Sequence, residues 1–190
     1  MKGSSGFAPG FAPGFTLVEL VVTVAVAAIL LSIAIPSFTR TLVSARLTTS
    51  ANEVTAALSQ ARLEAIRRNQ LTQFCGAANN GSDQLGGDCA SATGAVRTLD
   101  PAGTSSTLIR DALLLPSDVT LGSLNPLRYD GTGVASAPSG GGPYTGLVAD
   151  IYSQRIRTNN HACVYLTTGS IVSTHTCSSA CPANEPTSSC

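Results

Sequence analysis

The chain of 190 residues has no tryptophan, one methionine, two histidines and a single lysine, Lys2. Charged residues make up only 12% of it, about half the ~25% usual in soluble domains. Eleven basic residues balance eleven acidic ones, so bulk charge gives no support to an electrostatic nucleic-acid binder. No phosphate-cradling glycine loop or dinucleotide fingerprint is present. The two histidines lie beside cysteines without an orienting acid nearby in sequence, which does not make a Cys/His nucleophile pair. The chain is therefore not expected to be an enzyme, and no cofactor or metal is expected. Six cysteines in a chain rich in Ser, Thr and Gly point to an oxidising compartment.

The few charges are unevenly placed. From Phe15 to Pro36 the only ionisable side chain is Glu19. From Ser37 to Gln70 five arginines (Arg40, Arg46, Arg62, Arg67, Arg68) stand against Glu53 and Glu64. From Leu71 onward eight acids stand against five arginines, a net of −3. Phe15 to Ile35 would be about 32 Å long as a helix, enough to cross a ~30 Å hydrocarbon core. A tandem phrase, Gly6-Phe-Ala-Pro-Gly-Phe-Ala-Pro-Gly-Phe15, precedes it and is too rich in Pro and Gly to be helical. A secretory signal peptide would account for an apolar run with a small-x-small cut at Ala25-Val26-Ala27. Against that reading, insertion disfavours Glu19 within the run, and the apolar pattern continues past the cut.

Gly14-Phe15-Thr16-Leu17-Val18-Glu19 resembles the processing site of type IV pilins and type II secretion pseudopilins. The resemblance implies that prepilin peptidase cuts between Gly14 and Phe15, removing residues 1–14. Phe15 then becomes the methylated N-terminus, with Glu19 fifth in the mature chain. The repeat offers decoy cuts at Gly6-Phe7 and Gly10-Phe11, but these would put Phe11 and Phe15 fifth. Pro36 stands where many pilins have a proline that bends the helix. In a filament, Glu19 would meet the charged N-terminal amine of the neighbouring subunit. The implied partners are other pilin or pseudopilin subunits, the peptidase and the bacterial inner membrane. The chain would cross that membrane once, with its head in the periplasm, before assembly.

Beyond Pro36, Leu47, Ala51, Val54, Leu58, Ala61 and Ala65 recur at steps of 4, 3, 4, 3 and 4, one apolar stripe on a helix. Arg62, Arg67 and Arg68 read as a solvated face near the helix C-terminus, where cations suit the dipole. Short apolar or alternating runs then follow at 71–75, 95–99, 108–115, 119–121, 127–129, 146–152, 162–167 and 170–173, separated by turn residues. Residues 78–87 and 136–142 read as loops. A long helix followed only by strands predicts an α+β fold: a long N-terminal helix, half transmembrane and half amphipathic, packed on an antiparallel β-sheet or β-sandwich head. The expected units are a leader at 1–14, a transmembrane or filament-core helix at 15–36, and an amphipathic helix at 37–70. A β-rich head at 71–178 and a disulfide-stapled tail at 179–190 complete them.

The runs from Ala65 to Cys75, Leu108 to Arg110 and Leu127 to Gly131, with the final strand–Gly–strand unit, are similar to the minor pseudopilin H and minor pilin branch. Members prime pilus assembly, form the tip of a secretion pseudopilus, or act in DNA uptake. The chain lacks the tryptophans often found in the middle strands. It also lacks the Gly-Arg-x-Arg turn of the DNA-uptake members, reading Thr168-Gly169-Ser170-Ile171-Val172 instead.

Sequential pairing of the cysteines, Cys75–Cys89, Cys163–Cys177 and Cys181–Cys190, is the first expectation among 15 possible arrangements. The branch also suggests Cys163–Cys190 as a rival. A zinc site from His161, Cys163, His175, Cys177 and Cys181 is disfavoured, since no CxxC pair is present. The expected role is a structural filament subunit. The alternative is a pilus-borne DNA receptor, for which Arg155 and Arg157, two apart on an expected strand and so on one face, would act with Arg128 as a neighbour.

Overall fold

A computed structural model describes residues 14–77, 85, 87–90, 92–102, 105–187 and 190. Most of the leader and most of the expected 78–87 loop lie outside the described residues. The chain divides into two compact units, Met1–Thr39 and Arg40–Cys190. Helix α1 spans Leu17–Arg68, 52 residues. Only Pro36 interrupts its helix-compatible sequence.

In the first unit the described residues belong to α1 and its start. Thr16 caps the helix: its hydroxyl accepts the Glu19 N–H at 3.2 Å, and its carbonyl accepts the Leu20 N–H at 3.1 Å. The hydroxyls of Thr23 and Ser32 bond back to the carbonyls of Leu20 and Ile29 at 2.8 and 2.7 Å. Their polarity is thereby satisfied inside the helix rather than presented to an apolar surround.

In the second unit all six residues of the expected stripe are buried, joined by Val43 and Ala57. They meet two antiparallel sheets in a single core. The first sheet contains β1 (Thr72–Phe74), β2 (Val96–Leu99), β3 (Ser106–Arg110), β5 (Leu127–Tyr129) and β6 (Ala135–Ser136), in the order β3-β2-β1-β5-β6. The second contains β4 (Thr120–Leu124), β7 (Gly146–Tyr152), β8 (His161–Thr167) and β9 (Ile171–Cys177), in the order β4-β7-β8-β9. A one-turn helix, α2 (Gly87–Ala90), lies between β1 and β2. Several strand edges differ from the sequence reading. The 108–115 run stops pairing at Arg110, β9 runs on to Cys177, and β6 has no counterpart among the expected runs.

Strand β8 is buried on both faces. Ala162, Val164 and Leu166 enter the common core. Cys163 and Tyr165, on the alternate face, form a second cluster with Cys177, Leu147 and Cys181. The C-terminal tail covers that face. Tyr165 donates its hydroxyl to the Pro182 carbonyl at 2.9 Å, and the Leu147 N–H reaches the Ala183 carbonyl at 3.0 Å. Ser173, His175 and Thr167 surround the Glu185 carboxylate and hold its pKa at about 2. This clasp is complete above the ordinary Glu value of 4.5 and loosens as pH falls through about 2.

The disulfides are Cys75–Cys89, Cys163–Cys181 and Cys177–Cys190. The first agrees with the sequential expectation. The other two correct it, and the rival Cys163–Cys190 does not form either. Register accounts for the difference. Cys163 lies opposite His175 and Cys177 opposite His161, so the two cysteines are diagonal neighbours. Their sulfurs lie 3.3 Å apart, and each bonds to a tail cysteine that crosses the same face.

The β8–β9 turn joins both sheets to α1. The Ala135 N–H donates to the Gly169 carbonyl and the Gly169 N–H to the Tyr144 carbonyl, both at 2.8 Å. Arg62 donates to the Ser170 carbonyl at 3.1 Å. Arg62 is therefore bound to a turn, which corrects its reading as a solvated cation. Gly169 has φ 69°, and a Cβ there would lie 2.7 Å from the Ala135 carbonyl oxygen.

Two outcomes are expected. Non-reducing peptide mapping should recover the three pairs above; a Cys163–Cys177 peptide would overturn the pairing. Gly169→Ala should lower unfolding free energy in urea by about 2 kcal/mol or more. Gly140→Ala has φ 92° but open space around its Cβ, so it should lose only the conformational part, about 1 kcal/mol. Equal losses would show that crowding at the turn is unimportant.

Candidate functional site

The first candidate site is the start of α1. A Cβ built on Gly14 would meet nothing within 4 Å, so packing within the subunit does not demand glycine there. Phe15 is 83% exposed. Glu19 is exposed, and its carboxylate has no partner among the described residues. The Thr16–Glu19 spacing is the Thr-x-x-Glu signature of a helix start. Sequence reasoning missed this cap, although the signature residues stand in plain order.

From Leu17 to Phe38 the large apolar side chains of α1 are exposed on every side. Over its most apolar 18 residues the helix has a mean hydropathy of 2.7, and its length and composition suffice to cross a membrane. An all-round apolar helix requires lipid or other protein as cover. The described residues supply none in this unit. α1 runs through Pro36.

The second candidate group is the set of head arginines. Arg155 and Arg157 are exposed, but they lie in the connection between β7 and β8 rather than on a strand. The expectation that they share a strand face is therefore corrected: the strand ends at Tyr152. Arg128 lies on β5 of the other sheet, half-buried, and donates to Gln73 Oε1 at 2.8 and 3.3 Å. The three share neither a strand nor a sheet.

The third group surrounds the histidines. His161 Nδ1 lies 2.7 Å from Asp150 Oδ1 and its ring stacks on Tyr152. His175 Nε2 lies 3.0 Å from Glu185 Oε1. Asp150, Cys163 and Cys181 bring possible ligand atoms within 4.8 Å of one another. The two sulfurs are bonded to each other, so neither is the thiolate a metal needs. Cys177 is likewise oxidised.

Other ion pairs involve α1. Arg46 bonds Asp118 at 2.7 Å across the α1 surface. Arg68 and Arg67 bond Glu64, and the Arg68 bond above all holds the Glu64 carboxyl below its ordinary value. Burial pushes the Tyr129 hydroxyl up to about 12, so it remains neutral.

Comparison with known proteins agrees with the geometry. The family described as Type II transport protein GspH matches residues 50–165, from the buried stripe of α1 into β8. The Prokaryotic N-terminal methylation motif matches residues 13–35. No curated protein and no solved structure gives a significant match. Cys177, Cys181 and Cys190 lie beyond the matched range. With more than half of its length matched and the methylation motif ahead of an exposed apolar helix, the chain belongs to the GspH family of type II transport proteins and is a pilin-like structural subunit.

Proposed function

We propose that the chain is a minor pseudopilin that primes or caps a type II secretion pseudopilus. The observation that carries this reading is an exposed apolar helix with a single carboxylate, Glu19, five positions into the chain that a cut after Gly14 would leave. Prepilin peptidase removes residues 1–14, and the new amine of Phe15 is methylated. Residues 15–36 anchor the subunit in the inner membrane, and the head folds in the periplasm, where its disulfides form. On assembly the helix exchanges lipid for neighbouring helices. Glu19 is expensive in lipid without a partner. A neighbour's N-terminal amine would supply one, which favours the assembled state and fixes the axial register. The 71–178 head and the 179–190 tail remain outside the apolar layer.

Intact-mass and N-terminal peptide measurements on the native protein should show a chain beginning with N-methyl-Phe15. A chain beginning at Ala28, or a retained leader in sheared filaments, would overturn the processing scheme. Glu19→Ala should preserve membrane insertion, because it removes a polar penalty. Its recovery in sheared filaments should fall by ~10-fold or more, the scale of a lost buried ion pair. Undiminished recovery would dismiss the pairing with the amine.

A further inference from the structure

Four of the six cysteines meet on the tail-covered face of the second sheet. Cys163 on β8 and Cys177 on β9 are diagonal neighbours with their sulfurs 3.3 Å apart, yet they are not bonded to each other. Cys163 is joined to Cys181 and Cys177 to Cys190, both in the tail. The two sheet cysteines are fully buried, Cys181 is half-buried and Cys190 is exposed. Each bond therefore has one end fixed by strand pairing and one end, on the tail, nearer to solvent.

This arrangement couples the two bonds. In thiol–disulfide exchange a thiolate attacks one sulfur of a disulfide and expels the other, and the outcome depends on which sulfur can be reached. A thiolate from solvent that attacks Cys190 expels Cys177. The Cys177 thiolate then lies 3.3 Å from Cys163 Sγ. Its attack there forms Cys163–Cys177, breaks Cys163–Cys181 and expels Cys181. Entry at Cys181 expels Cys163 instead, whose attack on Cys177 forms the same bond and expels Cys190. Both routes end with the two strands joined to each other and both tail cysteines released. Cys75–Cys89 takes no part, since it belongs to a separate buried cluster with Ala95.

We propose that Cys163 and Cys177 form an exchange relay through which one dithiol from outside the chain releases the whole tail. The first thiolate of the dithiol bonds to the tail sulfur that it attacks. The second then closes on the first, and the dithiol leaves as its own disulfide. Its two electrons and two protons stay on the chain as the thiols of Cys181 and Cys190. The chain loses one disulfide, but both tethers of the tail are cut. The tail is then held without a covalent link, by the hydrogen bonds that Tyr165, the Leu147 N–H, Thr167 and His175 make to it. The β8 face that it covers, with Tyr165 and Leu147, is free to open.

The test uses the full chain, purified with its disulfides intact. Dithiothreitol is added until half of the chains have lost a tail disulfide, the exchange is stopped with acid, and free thiols are labelled with a maleimide. Peptide mapping should then find Cys163–Cys177, with the label on Cys181 and Cys190 and with Cys75–Cys89 kept. Label on Cys177 and Cys190 with Cys163–Cys181 kept, or on Cys163 and Cys181 with Cys177–Cys190 kept, would overturn the relay. So would a Cys163–Cys177 peptide in the untreated chain, because the relay starts from the other pairs. Hydrogen exchange at the Leu147 N–H, which the tail occupies, should quicken by ~10-fold or more in the treated chain; an unchanged rate would overturn release of the tail. Cys190→Ser leaves Cys177 without its tail partner from the outset. With no thiol added, part of its free thiol should appear on Cys181 and part of the chains should hold Cys163–Cys177. A free thiol confined to Cys177 would overturn the relay.

Discussion

The head depends on the contact between a narrow strip of α1 and two sheets at once. Four of the buried helix residues are alanines: Ala51, Ala57, Ala61 and Ala65. A side chain that short lets the helix backbone lie close to the strands, and larger partners fill the space from the sheet side. Phe74 and Tyr129 come from the first sheet and Leu124, Ile151 and Leu166 from the second. Burying each Leu or Val of the strip adds about 1.5–3 kcal/mol, but the alanines decide the distance. The last turns of α1 extend the same contact into polar chemistry. Arg62 holds the β8–β9 turn by its Ser170 carbonyl. Gly133 approaches Ile66 and Arg62 so closely that a Cβ there would lie 2.6 Å from Ile66. Changes in this strip should therefore reach both sheets and two turns together.

The opposite face of the second sheet is closed by other means. A four-stranded sheet with one face in the core would normally present its other face to water. Here Cys163, Tyr165 and Cys177 make that face apolar, and the tail covers it through two disulfides and a ring of hydrogen bonds. The disulfides close short loops, separated by 18 and 13 residues, for which the lost chain entropy is worth about 3 kcal/mol each. Covalent closure suits this place because the tail carries few large apolar groups of its own. The family match stops at Tyr165, inside β8, so this cover lies beyond the matched residues.

Much of this was legible in the sequence. The helix stripe could be read residue by residue, because apolar positions spaced by 3 and 4 fall on one side of a helix and on both sides of a strand. Most strands could be placed, because each was a short apolar run bounded by turn residues. The failures share a cause. Disulfide pairing depends on the β8–β9 register and on the path of the tail, and spacing along the chain holds neither. Arg155 and Arg157 alternate like strand residues, yet the strand ends at Tyr152 and its partner does not begin until His161. β6 is two residues long, too short to carry a period. Arg62 could not be distinguished from its solvated neighbours Arg67 and Arg68 until the turn it binds was in place. The Thr16 cap is different: its signature is local, and it overlaps the cut-site motif, which uses the same residues for another purpose.

That cap bears on where the chain could be cut. Every helix start leaves N–H groups without partners inside the helix, and in an apolar surround each is costly. Thr16 answers one of them by accepting the Glu19 N–H. A cut after Gly14 keeps Thr16 as the second residue, so the helix that enters the apolar layer brings its own cap. A cut after Ala27 would remove Thr16 and Glu19 together and start the helix at Ala28, among residues with no capping side chain before Ser32. Glutamate at this third position of a helix often turns back to the N–H of the cap residue; here only the Thr16 hydroxyl half of that exchange is made, and the carboxylate has no partner among the described residues. On the function proposed above, a lone carboxylate at the head of a self-capped apolar helix would meet a cation from outside the subunit, and a neighbour's amine is a cation that processing itself would create at that depth.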